Sequence, residues 1–259
     1  MTGTSPLRLA LREGRLVVGH MAMEFTVPNI AALLAPLGLD FVLFDLEHTG
    51  LSLETLAPVL VSCRLAGVPA VVRVPGAQGH FVSRCLDLGA LGIMMPNVRS
   101  AEEARKFVAA AKYPPRGRRG MGLGGAHTLY RVPDSREYAG WANEETVLMA
   151  QIESPEAVEA IDEILAVPGI DVGWIGQNDL TLNMGIVGQF EHPDFVAARL
   201  RVAEACRRHG KGAGCQPGSV AAAREWFEAG YNVISLGTDI GVYQHALGDF
   251  VGQVRGFAP

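Results

Sequence analysis

Seven side chains in this sequence have types and spacing suited to chemistry on a small oxoacid. Gln151 and Glu153 follow the apolar run Thr146–Met149, and Ser154-Pro155 then opens a helix. The pattern returns 26 residues after Glu153, where Asp171-Val-Gly-Trp-Ile-Gly176 runs into Gln177-Asn178-Asp179. Earlier, Phe41-Val-Leu-Phe runs into Asp45-Leu-Glu47-His48, and Ala70-Val-Val ends on Arg73. Two carboxylates from successive strands supply hard oxygen ligands suited to Mg²⁺ or Mn²⁺. Such a metal polarises a keto oxygen and stabilises an enolate. An arginine forks onto a substrate oxygen, and a histidine made basic by Asp45 moves a proton. Each residue also has a plain structural reading. Glu153 can flank the Ser154 cap, Asp179 can cap a short helix, and Arg73 can be a buried partner for Asp45 or Glu47.

These groups need a scaffold that gathers strand ends. The apolar runs 16–20, 41–48, 70–75, 92–96, 147–152, 171–176, 211–215 and 232–236 read as strands. Helical periodicity separates them at 28–37, 53–66, 81–88, 100–112, 155–165, 193–209 and 219–229, and a last helix covers 241–254. Two stretches, Tyr113–Glu145 and 177–192, read as irregular insertions. Eight strands alternating with helices predict one (β/α)₈ barrel over residues 1–259, with a doubly wound sheet as the alternative. In either architecture parallel strands present their C-terminal ends, and the site, on one face.

Composition narrows the partners. The 259 residues are 49% hydrophobic with a net charge of −5, against a nucleic-acid or anionic-membrane partner. No apolar run reaches the ~18 residues that span a bilayer, and Met1–Gly14 has no apolar signal core. Cys63, Cys85, Cys206 and Cys215 lack CxxC spacing and lie in apolar patterns, which predicts reduced thiols and a cytoplasmic protein. Gly120-Met-Gly-Leu-Gly-Gly125 matches GxGxxG by letter, but it follows an arginine-rich loop rather than a strand, so it predicts no dinucleotide site. The lysines are Lys106, Lys112 and Lys211; the first two lie on a helix and the third begins a strand, away from the strand mouths. None is placed for the imine of a Schiff-base aldolase.

Taken together, Phe44-Asp-Leu-Glu-His48, Val72-Arg73-Val-Pro, Tyr113-Pro-Pro-Arg-Gly-Arg-Arg-Gly120, Gln151-Ile-Glu153 and Ile175-Gly-Gln-Asn-Asp-Leu180 resemble, in order, the motifs of the HpcH/HpaI aldolase family. The resemblance implies a metal-dependent (class II) lyase of the phosphoenolpyruvate/pyruvate barrel type. Such an enzyme reversibly cleaves 4-hydroxy-2-oxoacids to pyruvate, or a related 2-oxoacid such as hydroxypyruvate, and an aldehyde. It implies Glu153 and Asp179 as ligands of Mg²⁺, Mn²⁺ or Co²⁺, Arg73 at the keto oxygen, and His48 with Asp45 as the acid–base pair. It places Gln151 and the backbone of Gly176 and Asn178 at the pyruvate carboxylate. It further implies a homo-hexamer, a trimer of dimers with exchanged C-terminal helices, in which Asp87 reaches the neighbouring protomer's site. Alternatives are a citrate-lyase-like or oxaloacetate-decarboxylating enzyme, and a metabolite-binding homologue without activity. The chain departs from the family's pattern at Gln177-Asn178, where Pro-Ala is common, at Gln216, where an apolar residue is usual near the aldehyde, and at His127 within 122–131.

Overall fold

The computed structural model describes residues 3–76 and 79–257; the outer residues of the expected span 1–259 lie outside them. Eight parallel strands close into a barrel in chain order. They are β1 (Val17–Ala22), β2 (Phe41–Asp45), β3 (Ala70–Arg73), β4 (Gly92–Met95), β5 (Val147–Ile152), β6 (Val172–Ile175), β7 (Gly212–Cys215) and β8 (Val233–Thr238). The helices around it are α1 (Pro6–Arg12), α2 (Ile30–Leu34), α3 (Leu53–Ala66), α4 (Gly79–Asp87), α5 (Ala101–Ala111), α6 (Ser135–Glu145), α7 (Pro155–Glu159), α8 (Ile161–Leu165), α9 (Gln177–Asn183), α10 (Pro193–Arg208), α11 (Val220–Glu228) and α12 (Asp239–Arg255). The (β/α)₈ architecture is the one expected.

Alternation along each strand builds two cores. One is the barrel lumen, filled by Phe41 and Leu43 of β2, Val71 of β3, Val147 and Met149 of β5, and Val172 and Trp174 of β6. Helix α1 closes the base of that lumen with Leu7 and Ala10. The other core lies between the strands and the helices, and the complementary residues Val42, Phe44, Val72, Leu148 and Ala150 belong to it. Gly214 keeps the lumen passable for a large ring, since a Cβ there would stand 2.2 Å from the Trp174 ring. The inward phase then positions the site. Asp45 follows Phe41 and Leu43, Arg73 follows Val71, and Gln151 follows Val147 and Met149, so each strand turns polar in its last inward position.

Several expectations change. β2 ends at Asp45 rather than His48, because the Asp45 carboxylate accepts the N–H groups of Glu47 (2.9 Å) and His48 (3.3 Å) and turns the chain out of the sheet. The Tyr113–Glu145 insertion contains α6, whose N-cap Asp134 accepts from Arg136 and Glu137 and which buries Tyr138 and Ala142. The stretch 177–192 opens with α9. The single helix expected at 155–165 is two, broken at Ala160. The expected helix 28–37 divides into α2 and a 3₁₀ turn at Ala35–Leu37, whose Pro36 carries no N–H to continue the helix. Its predicted apolar face is uncovered at Leu33 and Leu37. Helix α12 buries only Asp239, whose carboxylate accepts the N–H groups of Met23, Glu24 and Phe25. The apolar side chains Val242, Tyr243, Leu247, Phe250 and Val254 stand exposed along it.

Candidate active site at the strand mouth

A cavity of about 610 Å³ opens at the C-terminal end of the barrel, with His48, Arg73, Gln151, Asn178, Asp179 and Gln216 among its lining residues. Met21, Met23 and Trp174 give it an apolar wall. At its edge the β2–β3 register sets Asp45 beside Arg73. Arg73 Nε and Nη2 donate to the two Asp45 oxygens at 2.8 Å each, a forked pair. Burial alone would raise the Asp45 carboxyl. The Arg73 hydrogen bonds and charge, with two backbone N–H groups, outweigh it and hold the carboxyl below its usual range. The same pairing raises Arg73 despite its burial. Arg73 Nη1 makes no hydrogen bond among the described residues, and Arg73 lines the cavity.

His48 and Asp45, the expected acid–base pair, are joined here through the main chain and not through the ring. Asp45 binds the main-chain N–H of His48, not its ring, and its two oxygens are committed to Arg73. The carboxylate nearest the His48 ring is Glu47, with Oε2 at 3.7 Å from Nε2 and 3.3 Å from Arg73 Nε. Burial raises the Glu47 carboxyl, opposed by Arg73 and His48. Glu47 was visible at the end of its strand but carried no assigned role. Its position between guanidinium and imidazole depends on the turn at Asp45, which strand periodicity does not announce.

Glu153 is 2% exposed. Its Oε1 accepts the Asn97 N–H at 2.6 Å and its Oε2 the Gln151 amide at 2.5 Å. Asn97 reaches it from the loop after β4 in a left-handed conformation (φ 53°). Burial pushes the Glu153 carboxyl up to about 7; the Asn97 N–H pulls it down, while Glu47 and Asp179 repel it further upward. Gly176 makes room for this arrangement, because a Cβ there would stand 2.3 Å from Glu153 Oε2.

The donors expected for a substrate carboxylate are partly spoken for. The Gly176 N–H donates to Ile152 O at 3.0 Å, and the Gln151 amide is bound to Glu153. Asn178 N–H, in the first turn of α9, has no intrahelical acceptor. Gln151 Oε1 is buried without a partner. Gln216 Nε2 donates to Gly237 O at 3.2 Å, which leaves Oε1 as its acceptor at the cavity. Asp87, at the end of α4, lies apart from this mouth. Its carboxylate is held by Arg119 at 2.6 Å and its carbonyl by His127 Nδ1 at 2.8 Å.

No group of three His, Cys, Asp or Glu side chains among the described residues forms a ready-made metal cage. Asp45, Glu47 and Glu153 nevertheless share a single arginine, and Asp179 adds negative charge beside Glu47 and Glu153. An octahedral Mg²⁺ or Mn²⁺ takes one or two protein carboxylates and fills its other positions with water and substrate. Glu153 and Asp179 therefore fit such an ion, which would cancel the excess negative charge.

The model of the HpcH/HpaI aldolase/citrate lyase family matches residues 23–246. The chain is 33% identical over 237 residues to the hydroxypyruvate/pyruvate aldolase of Roseovarius nubinhibens, covering 92% of this chain and 91% of the relative. It is 32% identical over 210 residues to the 5-keto-4-deoxy-D-glucarate aldolase of Klebsiella pneumoniae subsp. pneumoniae, covering 81% of each. The crystal structure of the HpcH/HpaI aldolase from Desulfitobacterium hafniense DCB-2 superposes with a TM-score of 0.92 at 35% identity, covering 99% of this chain and 100% of that one. A closed parallel barrel, with its polar residues at the strand ends and this set of relatives, places the chain in the HpcH/HpaI aldolase/citrate lyase family, as an enzyme of the aldolase/lyase kind.

Proposed function

We propose that this enzyme is a divalent-metal-dependent aldolase. It cleaves and forms 4-hydroxy-2-oxoacids, giving pyruvate or a related 2-oxoacid such as hydroxypyruvate, and an aldehyde. The observation that carries the reading is the excess of carboxylates, Asp45, Glu47 and Glu153 sharing Arg73 with Asp179 beside them, at a cavity large enough for a small oxoacid. The relatives' names support the same substrate class.

Glu153 and Asp179 would hold Mg²⁺, Mn²⁺ or Co²⁺, which supplies Lewis-acid polarisation of the keto group when bound. Asp45 holds Arg73 rigid through Nε and Nη2, and Nη1 is left to stabilise the charge that grows on the keto oxygen. Gln151 and Asn97 fix the Glu153 carboxylate from either side. The Asn178 N–H receives the substrate carboxylate. His48, half-exposed at the rim with Glu47 as its nearest carboxylate, carries the proton to and from the aldehyde oxygen through Nε2. Met21, Met23 and Trp174 limit water on the opposite wall. Among the described residues no lysine lines the cavity, which disfavours an imine route. Gln216 Oε1 accepts a hydrogen bond from a hydroxyl of the aldehyde portion, which favours polar aldehydes.

The bare apolar side of α12 is consistent with helix exchange in a homo-hexamer acting on small molecules in the cytoplasm. No helix among the described residues is long and apolar enough to cross a membrane. The activity is tested by incubating the protein with pyruvate or hydroxypyruvate, a hydroxylated aldehyde and Mg²⁺, Mn²⁺ or Co²⁺. A 4-hydroxy-2-oxoacid should form. Its absence with every pair and every metal would overturn the reading.

A further inference from the structure

A second cavity, of about 310 Å³, lies at the opposite end of the barrel, where β5 and β6 begin. Its walls carry Arg8, Lys112 and Arg116 against Glu144 and Asp171. Lys112 is 3% exposed, and its Nζ donates to the carbonyls of Asn143 (2.8 Å) and Thr146 (2.6 Å). Among the described residues it forms no ion pair. Arg8, 8% exposed, gives Nη1 and Nη2 to Asp171 and Nη2 also to Thr146 O, while its Nε is buried without a partner. Arg116 on the rim pairs with Glu144. The two ion pairs cancel, and the Lys112 charge is left over. Burial pushes Lys112 down to about 8. Arg8 and Arg116 add to that, against Asp171 and Glu144.

A buried cation without a counter-ion and a buried guanidinium N–H without an acceptor are both costly. Lys112 and Arg8 both line one cavity, and an anionic ligand there would give Lys112 the counter-ion it lacks. We infer that this cavity binds a small molecule through an oxyanion, a phosphate or carboxylate group held by the buried Lys112 ammonium and the Arg116 guanidinium. The volume exceeds that of the oxyanion alone and leaves space for a short body against Val108 and Pro168. The occupant would sit at the root of β5, since Arg8 and Lys112 both hold Thr146 O, immediately before the strand. The other end of β5 presents Gln151 and Glu153, so the site is placed to act as an effector site. It shares no residue with the mouth and does not depend on the reaction proposed there.

The test is calorimetric titration of the metal-free full chain with inorganic phosphate and, separately, acetate, at constant ionic strength against chloride. At pH 7 at least one of the two should bind where chloride does not. Tighter phosphate binding assigns a phosphate group, and tighter acetate binding a carboxylate. Arg116→Ala, a rim change that spares the fold, should weaken binding about 10-fold or more. Raising the pH from 7 to 9.5 should weaken it again as Lys112 loses its charge. Lys112→Met should abolish it; should that variant fail to fold, the Arg116→Ala and pH arms decide. Arg73→Ala, at the mouth, should leave it intact. No binding beyond chloride, or binding that Arg73→Ala removes and Arg116→Ala retains, would overturn the assignment.

Discussion

The two ends of this barrel carry opposite electrostatic imbalances. At the base, Arg8 meets Asp171, Arg116 meets Glu144, and one buried lysine is in excess. At the mouth, four carboxylates outnumber one arginine and one exposed histidine. The base also knits the fold together. Arg8 ties α1 to the start of β6, and the Ser5 N–H donates to Glu145 Oε2 at 2.7 Å, tying the N-terminal segment to the end of α6. The mouth leaves its surplus charge facing a cavity, where it costs stability unless a cation arrives. The contrast fits the general division of labour in such barrels, with stability at the N-terminal face and chemistry at the C-terminal face.

Mutations at each end should separate these roles. His48→Ala should cut turnover by roughly 10²–10⁴-fold while leaving thermal stability near that of the parent, because its ring is exposed and not hydrogen-bonded. Parent-like rates in that variant would take His48 out of the chemistry. Arg8→Ala should do the reverse. Loss of a largely buried pair leaves Asp171 uncompensated and should lower stability by about 3–5 kcal/mol in urea denaturation, with kcat of the folded fraction little changed. A large fall in kcat at unchanged stability would break the distinction. Gln216→Leu should shift the preference for a hydroxylated over an aliphatic aldehyde by about 1–3 kcal/mol, read as a ratio of kcat/KM values. An unchanged ratio would remove Gln216 from substrate choice.

A further effect is a pH dependence, and its sign follows from Glu153. Its folded-state pKa, raised to about 7, lies above the ordinary value of 4.5. The folded protein therefore holds that proton more tightly than the unfolded chain. Stability contributed by protonated Glu153 is present below pH 4.5 and is lost as the pH rises through about 7. Metal-free protein should thus lose stability over that window relative to Glu153→Gln, which titrates no group there. Metal affinity should run the other way, weakening as the pH falls below about 7. Parallel stability curves for the two proteins would show that Glu153 is not under the strain described.

The barrel was legible because its signals are local and periodic. Apolar strands ending in Asp45, Arg73 and Gln151 already marked the mouth, and helices such as α3 announced themselves by periodicity. Helix α6 was hidden because Ser-Arg-Glu-Tyr-Ala-Gly-Trp-Ala-Asn-Glu-Glu carries too few apolar residues to show a face; it is held by Tyr138 and Ala142 against the neighbouring loop. At the site, residue types were readable but pairings were not. Whether Asp45 would serve Arg73 or the His48 ring depended on the β2–β3 register and on the turn after Asp45. Asn97 acts through its backbone N–H, which no side-chain pattern reveals. The commitment of the Gly176 N–H to Ile152 likewise follows from sheet pairing.

The central claim is that the surplus negative charge at the mouth exists to hold a catalytic divalent cation. The most direct measurement is retro-aldol cleavage of a 4-hydroxy-2-oxoacid by EDTA-treated protein, followed through pyruvate release, before and after adding back Mg²⁺, Mn²⁺ or Co²⁺. Borohydride trapping with pyruvate runs in parallel. The expected result is no turnover after chelation, recovery on metal addition in the parent but not in Asp179→Asn, and no pyruvyl-lysine by mass spectrometry. Full activity in the chelated protein, or a trapped lysine adduct, would contradict it.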